Sequence, residues 1–256
     1  MKYRIPFNRP FLSGRELEYI EQSVRSGHTS GGGPFMQKCE AFLADRIGAA
    51  RVLLTTSGTA ALEMAALLCG VGLGDEVIMP SYTFVSTANA FVLRGARPIF
   101  IDIRPDTLNL DETQLERLIT PRTKAMVPVH YAGVGCEMDA ILDCAGRHGV
   151  AVVEDNAHGL LGKYKGRHLG TLGAMATQSF HETKNVTCGE GGACALEDVC
   201  CRNDQDCDDG DECTLGVCQS SGECDFSPSG VDGCCEPQLF VRDFEDGLPT
   251  GLNFDN

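Results

Sequence analysis

Arg51-Val-Leu-Leu-Thr-Thr-Ser-Gly-Thr-Ala-Ala-Leu-Glu-Met-Ala-Ala-Leu-Leu68 is the stretch that decides the fold. Its apolar run over 52–55 reads as a strand, and the pattern over 59–68 as a helix, with only a hydroxyl-bearing turn and one glycine between them. A strand that feeds a helix through so short a turn is the first half of a βαβ unit. The turn reads Thr-Thr-Ser-Gly-Thr-Ala-Ala rather than Gly-x-Gly-x-x-Gly, which argues against a dinucleotide-binding Rossmann domain.

The same alternation continues outward from this unit. Strands are predicted near 52–55, 77–79, 98–102, 125–129, 150–154, 175–180 and 192–196. Helical patterns fall near 59–68, 84–94, 112–119 and 138–148. The fold class is therefore α/β, with a largely parallel sheet covered on both faces. Upstream, Ser13 is a candidate N-cap for a helix over 15–25 that Gly27 closes. The run Gly27-His-Thr-Ser-Gly-Gly-Gly33-Pro34 reads as a flexible loop, either a plain connector or the mouth of a site, and lacks the Lys-Ser/Thr of a P-loop.

Composition divides the 256 residues unevenly. Residues 1–196 carry 19 Lys and Arg against 20 Asp and Glu; residues 197–256 carry 2 against 16. Of the 14 cysteines, Cys39, Cys69, Cys136 and Cys144 are scattered, and ten crowd between Cys188 and Cys235. Scattered cysteines read as small buried residues of a reduced protein, and a dense cluster as a disulfide framework from an oxidising compartment. We therefore divide the chain into 1–196, a Cys/Asp-rich module at 197–238, and a fragment at 239–256 that resembles the opening strand of a secreted β-sandwich. Composition suits the cytoplasm for the first part and an extracellular setting for the tail, although no secretion signal or membrane span is read in the sequence. No metal site is expected: the module has no histidine for zinc, and Asp209 stands where an EF-hand loop needs glycine. Without a basic patch, nucleic acid is not an expected partner.

Several residues carry chemistry. Lys184 sits between the strand at 175–180 and the turn Gly189-Glu-Gly-Gly192, where its amine is either solvated or turned over the sheet. Asp155 ends the apolar strand Val150-Ala-Val-Val-Glu-Asp155, as a site carboxylate or a cap. Gly58 and Thr59 open the first helix, so their N–H groups form either an ordinary helix start or an anion cradle.

Five segments, in order, carry a resemblance: Thr56-Ser-Gly-Thr-Ala-Ala-Leu62, Glu76-Val-Ile-Met-Pro-Ser-Tyr-Thr-Phe-Val-Ser-Thr-Ala-Asn-Ala90, Val127-Pro-Val-His-Tyr-Ala-Gly133, Val153-Glu-Asp-Asn-Ala-His158, and Ser179 to Gly192. They resemble the DegT/DnrJ/StrS family of sugar-nucleotide aminotransferases over about residues 5–195, and within it the branch that makes dTDP-4-amino-4,6-dideoxygalactose. The resemblance implies the large domain of a fold type I transferase with a seven-stranded sheet, and pyridoxal 5′-phosphate as cofactor. It implies Lys184 as the Schiff-base lysine and Asp155 as partner of the pyridine nitrogen. It places Gly58, Thr59 and Ser179 at the phosphate, Phe84 over the ring (or, as a phenylalanine, in the core), and His158 near the phenolic oxygen, where that branch tends to carry Gln. Glutamate as amino donor, a nucleotide-linked 4-keto-6-deoxy sugar as acceptor and a homodimer follow from the same resemblance. After Cys194 the likeness stops, and the family's small carboxy-terminal domain is not recognisable. Two other readings stand beside it: a secreted Cys-rich protein without catalysis, and two unrelated reading frames joined near 194–200.

Overall fold

The computed structural model describes residues 9–197 and the backbone at 217–218 and 224–225. The chain divides into two units, Met1–Glu197 and Asp198–Asn256. In the second, Val217–Cys218 pairs antiparallel with Cys224–Asp225. The expected disulfide module and β-sandwich fragment otherwise lie outside the described residues.

In the first unit the elements run α1 (Glu16–Arg25), α2 (Pro34–Ile47), β1 (Arg51–Thr55), α3 (Gly58–Leu68), β2 (Glu76–Pro80), α4 (Val85–Val92), β3 (Arg97–Ile101), β4 (Thr123–Met126), α5 (Met138–His148), β5 (Ala151–Asp155), β6 (Lys163–Tyr164), β7 (Arg167–His168), β8 (Met175–Ser179) and β9 (Gly192–Leu196). Seven strands form one sheet in the order β1-β9-β8-β5-β4-β2-β3. All neighbours from β8 to β3 pair in parallel, and β9 runs against both β8 and β1.

Alternation along the central strands builds the layers. Val77 and Met79 of β2 face Ala65 and Ala66 of α3 and Phe91 of α4, whereas Ile78 between them faces Met138 and Ile141 of α5. Both faces of β2 are thus buried, which is why Val-Ile-Met reads as an unbroken apolar run rather than an alternating one. Every predicted sheet strand is present, with ends moved by a few residues. Of the scattered cysteines, Cys136 and Cys144 are buried, as small apolar residues should be, but Cys39 is exposed, so that reading is corrected there. Cys188 and Cys194, counted with the dense cluster, form no disulfide.

Two local expectations are corrected. Ser13 is not the N-cap of the first helix; Arg15 holds that place. The Glu16 carboxylate instead accepts the Ser13 and Gly14 N–H groups at 2.6 and 2.9 Å, displacing the cap by two residues. The helix predicted over 112–119 is a 3-10 turn at Glu112–Gln114. Bonds from Leu115 N–H to the Glu112 carbonyl and from Leu118 N–H to that of Leu115 keep the spacing at three. That spacing turns buried Leu115 inward, with Leu118 packed on the same core. Two elements were not anticipated: α2, which starts with Pro34 at its first turn and ends on left-handed Gly48, and the β6–β7 hairpin.

At the amino end of β2 a buried carboxylate closes the sheet's far edge. Glu76 accepts from the Thr120 hydroxyl at 2.7 Å and from Arg122 at 2.6 Å, and also pairs with Arg97. These hydrogen bonds, Thr120 first and then Arg122, hold its pKa down to about 2. A depressed carboxylate stabilises the fold fully above its unfolded value of about 4.3 and loses that contribution as pH falls toward 2. Glu76→Gln is expected to flatten the decline in urea midpoint between those pH values; a decline as steep as in the parent would remove Glu76 as its cause.

Candidate active site

Two helix starts and two strand ends converge at the carboxyl edge of the parallel strands, where ligands of open α/β sheets bind. β5 ends at Asp155, β8 ends at Ser179, α3 starts at Gly58, and α4 starts just after Phe84. Between them lies a cavity of about 460 Å³. All seven residues proposed from sequence line it: Gly58, Thr59, Phe84, Asp155, His158, Ser179 and Lys184. That is a typical size for a small-molecule site.

The α3 end is built for an anion. Ser57 caps the helix by accepting the Ala60 N–H at 3.1 Å, and its carbonyl takes the Ala61 N–H. The N–H groups of Gly58 and Thr59 are left without an acceptor among the described residues, at the positive end of the helix dipole. Ordinary N-cap and anion cradle are thus one structure. A Cβ at Gly58 would stand 2.9 Å from the Ser179 Cβ, so only glycine lets this helix start come so close to the end of β8. Thr59 turns its hydroxyl the other way, 2.8 Å from that of Ser86 in α4.

Asp155 is buried yet faces the cavity. Its main chain is clamped, with N–H given to the Pro128 carbonyl and C=O accepting from His130 N–H. One side-chain oxygen accepts from Thr87 at 2.7 Å and the other from the Ala157 N–H at 3.2 Å. Its partner across the ladder, Thr177, is 1% exposed and has a hydroxyl without a hydrogen-bond partner, also on the cavity wall.

Lys184 is half-buried on the loop after β8. Burial lowers its pKa below the ordinary lysine value, and the charge of Asp155 acts in the opposite direction. The His158 pKa is lowered too, by burial first and then by Lys184. His158 accepts the Ala132 N–H on Nδ1 at 3.3 Å, so the neutral ring carries its proton on Nε2. Tyr131 stands edge-on to His158 with ring centroids 5.6 Å apart, and its hydroxyl bonds Tyr82 at 3.0 Å. Phe84 is 73% exposed, which overturns its alternative reading as a core residue.

Behind Asp155 lies a part that sequence reasoning did not single out. Glu154, fully buried, accepts from His130 Nε2 at 2.7 Å and from the N–H groups of Gly170, Leu172 and Gly173. Burial alone would raise its pKa; the His130 bond and the backbone donors outweigh that and lower it. Thr87 and Thr177 were also missed.

The DegT/DnrJ/EryC1/StrS aminotransferase family model matches residues 11–204. The chain belongs to this family. Among curated relatives of this aminotransferase-family chain, the spore coat polysaccharide biosynthesis protein SpsC of Bacillus subtilis is 43% identical over 194 residues, covering 76% of the chain and 50% of SpsC. The chain thus spans about half the length of that relative. Spr1654 from Streptococcus pneumoniae, solved in a PLP form, superposes with a TM-score of 0.70 at 31% identity, over 76% of this chain and 53% of that one. DesI, solved in the presence of its TDP-sugar product, superposes at 0.68 with 39% identity, over 75% and 48%. The seven-stranded, mostly parallel sheet is that of the PLP-dependent aminotransferases.

The residues present suit such a cofactor. An anion cradle, a buried carboxylate, an unpartnered buried hydroxyl and a lysine with lowered pKa line one cavity. Among the described residues, no helix is long and apolar enough to cross a membrane.

Proposed function

We propose that this chain is the large-domain part of a pyridoxal phosphate-dependent aminotransferase that acts on a nucleotide-linked keto sugar. The observation that carries the reading is one cavity lined together by Lys184, Asp155 and the start of α3, whose Gly58 and Thr59 N–H groups have no acceptor among the described residues. Pyridoxal phosphate, when bound, supplies an electron sink for charge that develops next to the transferred nitrogen.

The protein's own groups supply the rest. Gly58 and Thr59 N–H, with the Ser179 hydroxyl, hold the phosphate against the α3 dipole. Asp155 holds a proton at the pyridine nitrogen, which keeps the ring electron-poor. Lys184 Nζ, its charge disfavoured by burial, would take a proton from Cα of the amino donor and return it at C4′ of the cofactor, on the other side of the transferred nitrogen. His158 Nε2–H donates to the ring's phenolic oxygen, and Phe84 covers the ring face at the cavity mouth.

Glutamate is the donor in this proposal, and the acceptor is a 4-keto-6-deoxy sugar of the dTDP-4-amino-4,6-dideoxygalactose type. DesI's TDP-sugar product and SpsC's polysaccharide role support an acceptor of this class. A cytoplasmic setting and a second copy completing the site belong to the same proposal. The test is to mix the full chain with pyridoxal phosphate and follow the visible band, then add glutamate. A band that glutamate bleaches is the expected result. A folded chain that forms no band overturns the proposal.

A further inference from the structure

α4 begins with hydroxyls packed inside the protein. Thr87, the third residue of the helix, is 0% exposed, and Ser86 and Thr83 lie beside it. Fully burying a threonine at a helix start is costly unless its hydroxyl is used. Here it is used twice. Thr87 Oγ1 donates to Asp155 Oδ2 at 2.7 Å and lies 2.8 Å from Thr83 Oγ1. A hydroxyl has one proton, and Thr87 gives its own to the carboxylate, so Thr83 must donate to Thr87. Thr87 N–H is held by the Phe84 carbonyl at 3.0 Å, which fixes the rotamer's origin. The result is a directed chain from Thr83 through Thr87 to Asp155, each bond polarising the next.

The geometry matters because Asp155 has few other restraints on its side chain. Ala157 N–H takes Oδ1, and Thr87 is the only other donor to the carboxylate among the described residues. Partial rotation about the Cβ–Cγ bond would tilt the carboxylate plane, break these two hydrogen bonds and turn the free lone pairs away from the cavity. We propose that Thr87 is the positioning residue for Asp155: its buried hydroxyl, itself oriented by Thr83, fixes the plane of the carboxylate so that an unused lone pair faces the cavity and accepts a ligand N–H there. Its functional meaning rests on the cofactor reading above, because the ligand N–H is that of a protonated pyridine ring. The inference also explains why the buried side of this helix start, Ser86 and Thr87, carries hydroxyls.

The experiment uses the full chain and pyridoxal phosphate, with Thr87→Val and Thr87→Ser. Valine keeps the shape and removes the hydroxyl; serine keeps the hydroxyl. Thr87→Val should weaken cofactor binding about 10- to 100-fold, the equivalent of one hydrogen bond to a charged group, and should displace the pH midpoint of the visible band. Thr87→Ser should restore both to within about threefold. A role in packing alone would leave the pH midpoint where it is in the parent. A valine variant with parental affinity and midpoint overturns the inference.

A second measurement separates it from the cofactor reading. In urea unfolding of the cofactor-free chain, Thr87→Val should cost stability in the parent and much less in the Asp155→Ala background. If the parent forms no band but this coupling is present, the cofactor reading fails and the positioning contact stands. Additive effects in the cycle overturn the positioning contact itself. Should the valine chain fail to fold, Thr83→Val, which removes only the donor to Thr87, carries the same test with about a threefold loss of affinity expected and no loss as the overturning result.

Discussion

Lys184→Ala is expected to abolish the visible band formed with pyridoxal phosphate and to lower glutamate-dependent amino transfer by about 10²- to 10⁴-fold, the scale of losing a positioned base. The argument is electrostatic as well as chemical. Lys184 is half-buried beside the cavity, and burial disfavours its ammonium form, so a larger share is free amine at a given pH than for a solvated lysine. The charge of Asp155 acts against this shift. The pH at which the band forms should consequently lie below the ordinary lysine value of about 10.4, and Asp155→Asn should move it lower still, because the charge that favours the ammonium is gone. Lys165→Ala is the control: that lysine is exposed and paired with Asp139 at the surface, so the band should be unchanged. A full band in Lys184→Ala, measured in protein with the parental circular dichroism, would assign the chemistry to another residue.

The fold was legible because its signals are local and strong. Each central strand is a short apolar run bounded by turn residues, and burial on both faces makes β2 and most of β5 unbroken runs that stand out as strands. α2 was missed because its core-facing residues are spread thinly: only Ile47 is buried along its whole length. The predicted helix at 112–119 failed where Asp111 accepts the Thr113 N–H and tightens the turn. At the site, Asp155 and the α3 start stood out because each lies at the end of an element, and Lys184 because it precedes a glycine-rich turn, but a bland alternative stood beside each until the family resemblance assigned their roles. Thr87 and Thr177 could not, because a threonine inside an apolar stretch looks the same whether its hydroxyl is used or spare. The one available hint was the density of hydroxyls from Ser81 to Thr87 at a helix start. Glu154 was hidden by its neighbour: of two adjacent carboxylates at a strand end, pattern alone does not say which faces the cavity. The period of two does, once the strand's ends are fixed, and it sends Asp155 toward α4 and Glu154 to the opposite face.

That opposite face carries the second large effect. Glu154→Ala is expected to destabilise the chain by about 3–5 kcal/mol in urea, because His130 and three backbone N–H groups lose their common acceptor inside the protein. Glu154→Gln should cost about 1–3 kcal/mol: one oxygen still accepts, but the new amide points its own protons at donors. The loss should reach the cavity too. Glu154 pins the segment at 170–173 and, through His130, the turn in which Cys136 N–H donates to His130 Nδ1 at 3.2 Å. The same turn carries Tyr131 and the Ala132 N–H that orients His158. A Glu154→Gln chain that is still folded should therefore bind pyridoxal phosphate more weakly although it touches no part of the cavity. The pH dependence has a definite sign. The Glu154 pKa is lowered in the fold, so its contribution is complete above the unfolded value of about 4.3 and is lost as pH falls through the folded one. The gap in urea midpoint between parent and Glu154→Gln should accordingly be widest near neutral pH and close in acid. A gap that persisted unchanged below that range would mean that the stabilisation comes from the shape of the side chain and not from its charge.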